Sequence, residues 1–177
     1  MKVALPTFRE GESKQAIIES FRTHLEQNSF TVAEVDAKRP WGAFLRVVNS
    51  QAGKFIETYF DNVIVPENAR QGERSPKFLL VAPHHRLSWQ YHDRRAEFWR
   101  AIVGTAGVYV SKTNTQPDEM VTLKTGDTIE LSQGTRHRLV GLDGWGAVAE
   151  IWIHIDSQHP SNEDDIFRLQ DDYTRTS

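Results

Sequence analysis

The sequence predicts an all-β jelly-roll barrel preceded by a single N-terminal helix, and three observations carry this reading. From Gly42 onward the chain falls into short runs rich in β-branched and aromatic residues, divided by turn residues. Many short strands at such spacing build a sandwich or a jelly-roll barrel. Upstream, residues 12–27 form the one convincing helix, with Ile17, Ile18, Phe21 and Leu25 on a single face. Finally, 177 residues suit one domain with a substantial core. The expected organisation is a helical extension over residues 1–36 packed on a barrel domain over residues 37–177.

Taken in order, the helix at 12–27 presents an apolar face whose expected partner is one side of the barrel or a neighbouring subunit. The expected strands cover 43–49, 54–60, 77–82, 97–103, 106–111, 127–131, 136–140 and 147–155. Gly104 suits the tight turn that ends the strand begun at Glu97, Gly126 and Asp127 turn the chain before Thr128, and Gly134 turns it before His137. Residues 113–119 read as a polar loop and 156–165 as a polar, irregular segment, with no internal repeat or low-complexity stretch.

Composition narrows the partners. A net charge of −3 gives no general attraction to nucleic acid or to an anionic membrane. The absence of cysteine excludes disulfides and thiolate metal sites, leaving nitrogen and oxygen ligands. Residues 1–10 lack the apolar stretch of a signal peptide and no run is long enough to span a bilayer, so the expected compartment is the cytoplasm.

Two segments carry metal-ligand chemistry. Side chains alternate along a strand, so Gln90 and His92 project from one face. Glu97 follows His92 by an odd step, so a turn containing Arg94 and Arg95 must return it to that face. His137, just after the Gly134 turn, completes a set of one amide oxygen, two imidazoles and one carboxylate, a mixture suited to first-row divalent metals. Gln90 is the weakest member, since a neutral amide binds metal less firmly than imidazole. By alternation Trp89 and Tyr91 face away from the metal, whereas Trp99 shares the Glu97 face and is the better pocket candidate. Trp41 and Trp145 read as structural. If the strand continues past His92, Arg94 shares the metal face and offers a guanidinium to a phosphate, a carboxylate or Glu97; an exposed turn arginine is the alternative.

The motifs extend beyond ligand spacing. The run from Leu87 to Trp99, LSWQYHDRRAEFW, resembles the signature of type II (cupin) mannose-6-phosphate isomerases, roughly LSLQxHHHRAEHW. Arg39-Pro40-Trp41-Gly42 resembles that family's opening RPWG, Lys77 sits where it has a lysine, and the stretch from Glu163 to Tyr173 is similar to its closing EDDIxRLxDDY. The resemblance covers most of residues 39–175, in order. Arg94 and Phe98 replace family histidines, His84 a glycine, Ser132 a proline and Gly141 an asparagine; an inserted stretch lies around 55–74, and residues 1–36 have no counterpart.

The resemblance implies a cupin barrel holding one divalent ion through Gln90, His92, Glu97 and His137, with zinc the usual metal and manganese, iron, nickel or cobalt open. It implies interconversion of an aldose and a ketose phosphate, with mannose 6-phosphate and fructose 6-phosphate as the family's pair. Such a reaction polarises a carbonyl and moves a proton between adjacent carbons. Glu97 and Glu150 are the candidate bases, Lys77 a donor to the oxygens or a phosphate ligand, and Arg94, Arg95 and Trp99 the candidate substrate contacts. The expected partner is a small sugar or sugar phosphate and the expected assembly a homodimer. A noncatalytic sugar-binding cupin, or a metal-dependent cupin enzyme on another small substrate, is the alternative favoured by the changes at Arg94 and Phe98.

Overall fold

The computed structural model describes residues 4–61, 63, 64 and 72–173. Its elements follow in the order α1 (Lys14–Gln27), β1 (Val32–Asp36), β2 (Gly42–Val47), a 3-10 turn (Asn49–Gln51), α2 (Ala52–Tyr59), β3 (Lys77–Val81) and β4 (Trp89–Tyr91). There follow β5 (Arg95–Val103), β6 (Thr105–Ser111), β7 (Val121–Lys124), β8 (Thr128–Leu131), β9 (Arg136–Gly141), β10 (Gly146–His154) and β11 (Phe167–Gln170). They form two antiparallel sheets, β1-β2-β3-β10-β5-β8 and β11-β4-β9-β6-β7, the two layers of a cupin jelly roll with an N-terminal helix.

Alternation sorts the core into two layers. On β3, Phe78 and Leu80 point out toward the helices while Leu79 and Val81 point in; on β10, Ala147, Ala149, Ile151 and Ile153 point out and Val148 points in. The outer layer packs on Ile17, Ile18, Phe21 and Leu25 of α1 and on Phe55, Ile56 and Tyr59 of α2. The inner layer, with Trp99, Val108, Leu131 and Leu139, fills the space between the sheets. All nine residues of β10 are buried, because helices cover one face and the second sheet covers the other. Each fully buried aromatic of this kind contributes about 1.5–3 kcal/mol relative to exposure.

Helix α1 is capped by Ser13, whose Oγ accepts from Ala16 N at 3.2 Å. The expected strand at 54–60 is corrected to helix α2. Its buried residues Ala52, Phe55, Ile56 and Tyr59 recur at three and four positions, a helical period hidden in a short apolar run. Of the inserted stretch around 55–74, residue 62 and residues 65–71 lie outside the described residues. Strands β1, β7 and β11 were not expected as separate strands; β7 and β11 have only four residues each, and no residue of β1 is buried. Gly42, with φ 149°, needs its missing side chain: a Cβ there would lie 1.8 Å from the Leu80 carbonyl oxygen. Among the described residues, no helix is long and apolar enough to cross a membrane.

Candidate metal and catalytic site

Strand register explains why the polar side chains meet. Arg95, Glu97 and Trp99 alternate on β5 and share its inner face. Trp99 stands opposite Glu150 on β10, and Glu150 opposite Lys77 on β3, so these three form one row; Glu97 begins the next, opposite Trp152. On the facing sheet Arg168, Gln90 and His137 form a row across β11, β4 and β9.

His92, Glu97 and His137, all buried, bring one ligand atom each within 4.8 Å of the others. His92 Nε2 lies 3.2 Å from Glu97 Oε1, and His137 Nε2 lies 3.6 Å from Glu97 Oε2. The outer nitrogens are committed elsewhere: His92 Nδ1 to the Asp165 carbonyl at 2.6 Å, His137 Nδ1 to the Thr135 carbonyl at 2.9 Å. A carbonyl only accepts, so each Nδ1 carries the proton and each Nε2 turns a lone pair toward the carboxylate. Arg95 Nη2 lies 3.3 Å from His92 Nε2, but His137 Nε2 is buried without a hydrogen-bond partner. Two imidazole lone pairs and a carboxylate facing one another form a donor set that fits a divalent cation.

The electrostatics agree with that donor set. Burial pulls the His92 ring down to about 4, against the pull of the Glu97 charge, and burial lowers His137 likewise, so both rings are neutral at neutral pH. Burial pushes the Glu97 carboxyl up, but His92 and His137, once protonated in acid, together with the fixed charge of Arg95, more than offset this and hold it below the usual carboxylate range. Arg95 Nε donates to Glu97 Oε1 at 2.8 Å, and Arg95 Nη1 donates to Ser161 Oγ at 2.9 Å and to the Asn162 and Asp165 carbonyls.

A second carboxylate stands beside this cluster. Trp99 Nε1 is shared between Glu97 Oε2 at 3.1 Å and Glu150 Oε2 at 3.0 Å, and Trp152 Nε1 donates to Glu150 Oε1 at 3.0 Å. Lys77 Nζ lies 3.4 Å from Glu150. Burial, then the charge of Glu97, pushes the Glu150 carboxyl up to about 7, against the opposing pull of Lys77 and Arg95. Together Lys77, Gln90, Arg95, Glu97, Trp99 and Glu150 line a pocket of about 110 Å³. A larger open cleft of about 500 Å³, bordered by Tyr59, Asp61 and Arg100, gathers no such convergence of carboxylates and imidazoles.

The sequence-predicted residues separate clearly. His92, Glu97 and His137 converge, with Arg95, Trp99, Glu150 and Lys77 around them. Gln90 lines the pocket, and its Oε1 accepts from Ser88 Oγ at 2.6 Å. Arg94 is not brought to the cluster: it occupies a turn, 38% of its side chain is exposed, and it donates to the Pro160 carbonyl and Asn162 Oδ1, both at 2.9 Å. Sequence reasoning missed the work of residues 160–165. Asp165 accepts from the amides of Asp93 and Arg94, each at 3.0 Å, and from Ser161 Oγ at 2.6 Å, so this segment anchors both His92 and Arg95. It also missed Arg39 at the pocket; the signal was its place in the opening motif.

The sequence pattern of the Mannose-6-phosphate isomerase C-terminal family matches residues 67–171. The xanthan biosynthesis protein XanB of Xanthomonas campestris is 30% identical over 139 residues, covering 78% of this chain and 23% of that protein. The alginate biosynthesis protein AlgA of Pseudomonas aeruginosa is 27% identical over 178 residues, covering 94% of this chain and 31% of that protein. This chain thus spans between 23% and 31% of the length of these relatives. In three dimensions the capsular polysaccharide assembling protein CapF from Staphylococcus aureus superposes with a TM-score of 0.52 at 12% identity, covering 88% of this chain and 38% of that one, a likeness of fold. The chain belongs to the Mannose-6-phosphate isomerase C-terminal family.

Proposed function

We propose that this chain is a metal-dependent isomerase of sugar phosphates that interconverts an aldose and a ketose, with mannose 6-phosphate and fructose 6-phosphate as the leading pair. The observation that carries the reading is the buried His92, Glu97 and His137 group beside a second carboxylate, Glu150, joined to it by the Trp99 N–H. His92, Glu97 and His137 hold the ion, with Gln90 at the margin of the set, and zinc is the leading candidate among divalent metals. A bound ion supplies polarisation of the substrate carbonyl and stabilisation of the negative charge that develops on it.

The chain's own groups supply the rest. With Glu97 committed to the ion, Glu150 is the base that takes a proton from the carbon next to the carbonyl and returns it to the neighbouring carbon; a carboxyl near 7 is suited to both halves of that exchange. Lys77, beside Glu150, donates to the oxygens of the substrate's phosphate, and Trp99 orients both carboxylates. Arg95 keeps Glu97 ionised and in place. The division into an extension over 1–36 and a cupin domain over 37–177 belongs to the same proposal, with α1 packed on the sheet in its support, as do a homodimer in solution and a cytoplasmic location.

The test is a coupled assay for fructose 6-phosphate formed from mannose 6-phosphate, run as purified, after chelation and after readdition of single divalent metals. Turnover lost on chelation and restored by one ion is expected. If a panel of hexose and pentose phosphates shows no turnover with any metal, the weight moves to the noncatalytic sugar-binding reading, for which the substitutions Arg94 and Phe98 within the ligand motif speak.

A further inference from the structure

We infer that the mouth of this pocket is an anion subsite built by Arg39, Lys77 and Arg168, and that the carboxylate of Glu163 sits in it as an internal stand-in which an anionic ligand displaces. The inference rests on the sugar-phosphate reading above and adds where the phosphate is held.

Four cations line the pocket: Arg39, Lys77, Arg95 and Arg168. Arg95 is buried at the base of the pocket against Glu97, Ser161 and two carbonyls, whereas Arg39 is half-buried and Arg168 exposed, which puts these two at the mouth, with Lys77 next to Glu163 behind them. They are held in place before any ligand arrives. Arg39 lies 5.5 Å from the centre of the Phe44 ring, and its Nε is 2.7 Å from Asp36. Lys77 lies 5.8 Å from the same ring and 4.6 Å from the Trp152 ring, whose face also carries Arg95 at 3.8 Å. Aromatic faces thus space the cations from the mouth down to Glu97, and cations fixed in this way lose little freedom on meeting an anion. Arg168 enters from the opposite sheet: it stands opposite Gln90 in the β11–β4 ladder and so shares the inner face with the ligand residues. Its neighbour Phe167, on the outer face, stacks on Tyr91 at 4.9 Å and 14°, which fixes the short strand that carries it.

Glu163 marks the spot. Its Oε1 lies 3.5 Å from Lys77 Nζ and 3.4 Å from Ser75 Oγ. The lysine side chain is 10% exposed but the glutamate side chain is 70% exposed, so a solvated carboxylate reaches in to a buried ammonium. A pair of that kind is weak and is exchanged at little cost for a better-placed anion. Size points the same way. A pocket of about 110 Å³ is well below the roughly 300–1,000 Å³ of sites that enclose a whole small ligand, so a sugar phosphate inserts its carbonyl end and leaves its phosphate at the rim, among these three cations.

The experiment is calorimetric titration of the intact protein with 1,5-anhydroglucitol 6-phosphate, with unphosphorylated 1,5-anhydroglucitol and with inorganic phosphate. The first probe has no free carbonyl and binds without turnover, so the measurement stands or falls separately from the isomerase assay. The phosphorylated probe is expected to bind more tightly than the unphosphorylated one. Arg39→Gln and Arg168→Gln should each weaken the phosphorylated probe by about tenfold or more and leave the unphosphorylated one unchanged. Glu163→Gln, at an exposed position that tolerates substitution, should tighten the phosphorylated probe severalfold, with metal content by elemental analysis the same in all variants. Equal affinity for the two sugars, or phosphorylated-probe affinities unmoved in both arginine variants, overturns the subsite even if isomerase turnover is found. Unchanged affinity in Glu163→Gln overturns the stand-in. Absence of turnover together with these shifts removes the isomerase reading and leaves the subsite standing.

Discussion

Trp99 stands opposite Glu150 in the β5–β10 ladder, and its indole N–H points at Glu150 Oε2 from 3.0 Å. The same N–H lies 3.1 Å from Glu97 Oε2, so one donor serves two carboxylates. Their other neighbours differ. Glu97 meets Arg95 and two imidazoles, whereas Glu150 meets Lys77 at 3.4 Å and a second indole. One carboxyl is held down and the other is pushed up to about 7, a separation that gives two adjacent acids different tasks.

That separation has a stability signature. Between the ordinary value of 4.5 and about 7, folded Glu150 keeps a proton that the unfolded chain has released, so stability from this group is present at low pH and lost as pH rises through the window. Glu150→Gln removes the titration. In urea denaturation with chelator present, the variant should gain on the unaltered protein by on the order of 1–3 kcal/mol across that window and hold the gain above it. A difference that stays flat with pH would show that Glu150 titrates as an ordinary carboxyl.

Adjacent arginines should behave oppositely. Arg95 is buried and pairs with Glu97, so Arg95→Gln leaves a buried carboxylate without its fixed partner and should cost about 3–5 kcal/mol. Arg94 is partly exposed and holds only the 160–165 segment, so Arg94→Gln should cost at most about 1 kcal/mol. Chemical denaturation of the two variants decides it; equal losses would mean that the burial of Arg95 is not what holds Glu97.

Metal content follows from the ligand set. Purified protein should carry about one divalent ion per chain by elemental analysis, and His92→Ala/His137→Ala should carry none. Chelation should lower the melting temperature of the unaltered protein and leave that of the double variant where it is, because only a folded state with the site gains from the ion. An unchanged metal content in the double variant would move the site elsewhere.

The convergence of His92, Glu97 and His137 was legible because it depends on local spacing: these residues lie next to short turns that fix their faces. The jelly-roll class was legible for the same reason, from alternating runs between glycine turns such as Gly104 and Gly134, both of which have positive φ. Residues 54–60 were misread because seven residues are too few to separate a helical from a strand period; burial of Phe55, Ile56 and Tyr59 against Phe78 decides it in three dimensions. The position of Arg94 depended on whether the strand ran on past His92, and the carboxylate of Asp165, more than seventy residues away, holds the turn that stops it. Glu150 and Lys77 meet Trp99 only through β10 and β3 pairings, which no local pattern specifies.

Trp99→Phe isolates the shared donor. A phenyl ring keeps an apolar edge against His137, whose ring centre lies 5.2 Å from that of Trp99, but it donates to neither carboxylate. The three metal ligands are untouched, so the ion should be retained. Both carboxylates lose a hydrogen bond that favours their charged form, and with Glu150 already near 7 its carboxyl should move further up. In the pH profile of kcat/KM, the limb on which activity rises with pH should therefore shift to higher pH, and the variant should fall furthest behind at the acid end. Stability should drop by about 1–3 kcal/mol from the acceptors left without a donor. A loss of activity by the same factor at every pH, with metal retained, would make Trp99 a packing residue and separate the titration of Glu150 from the reaction.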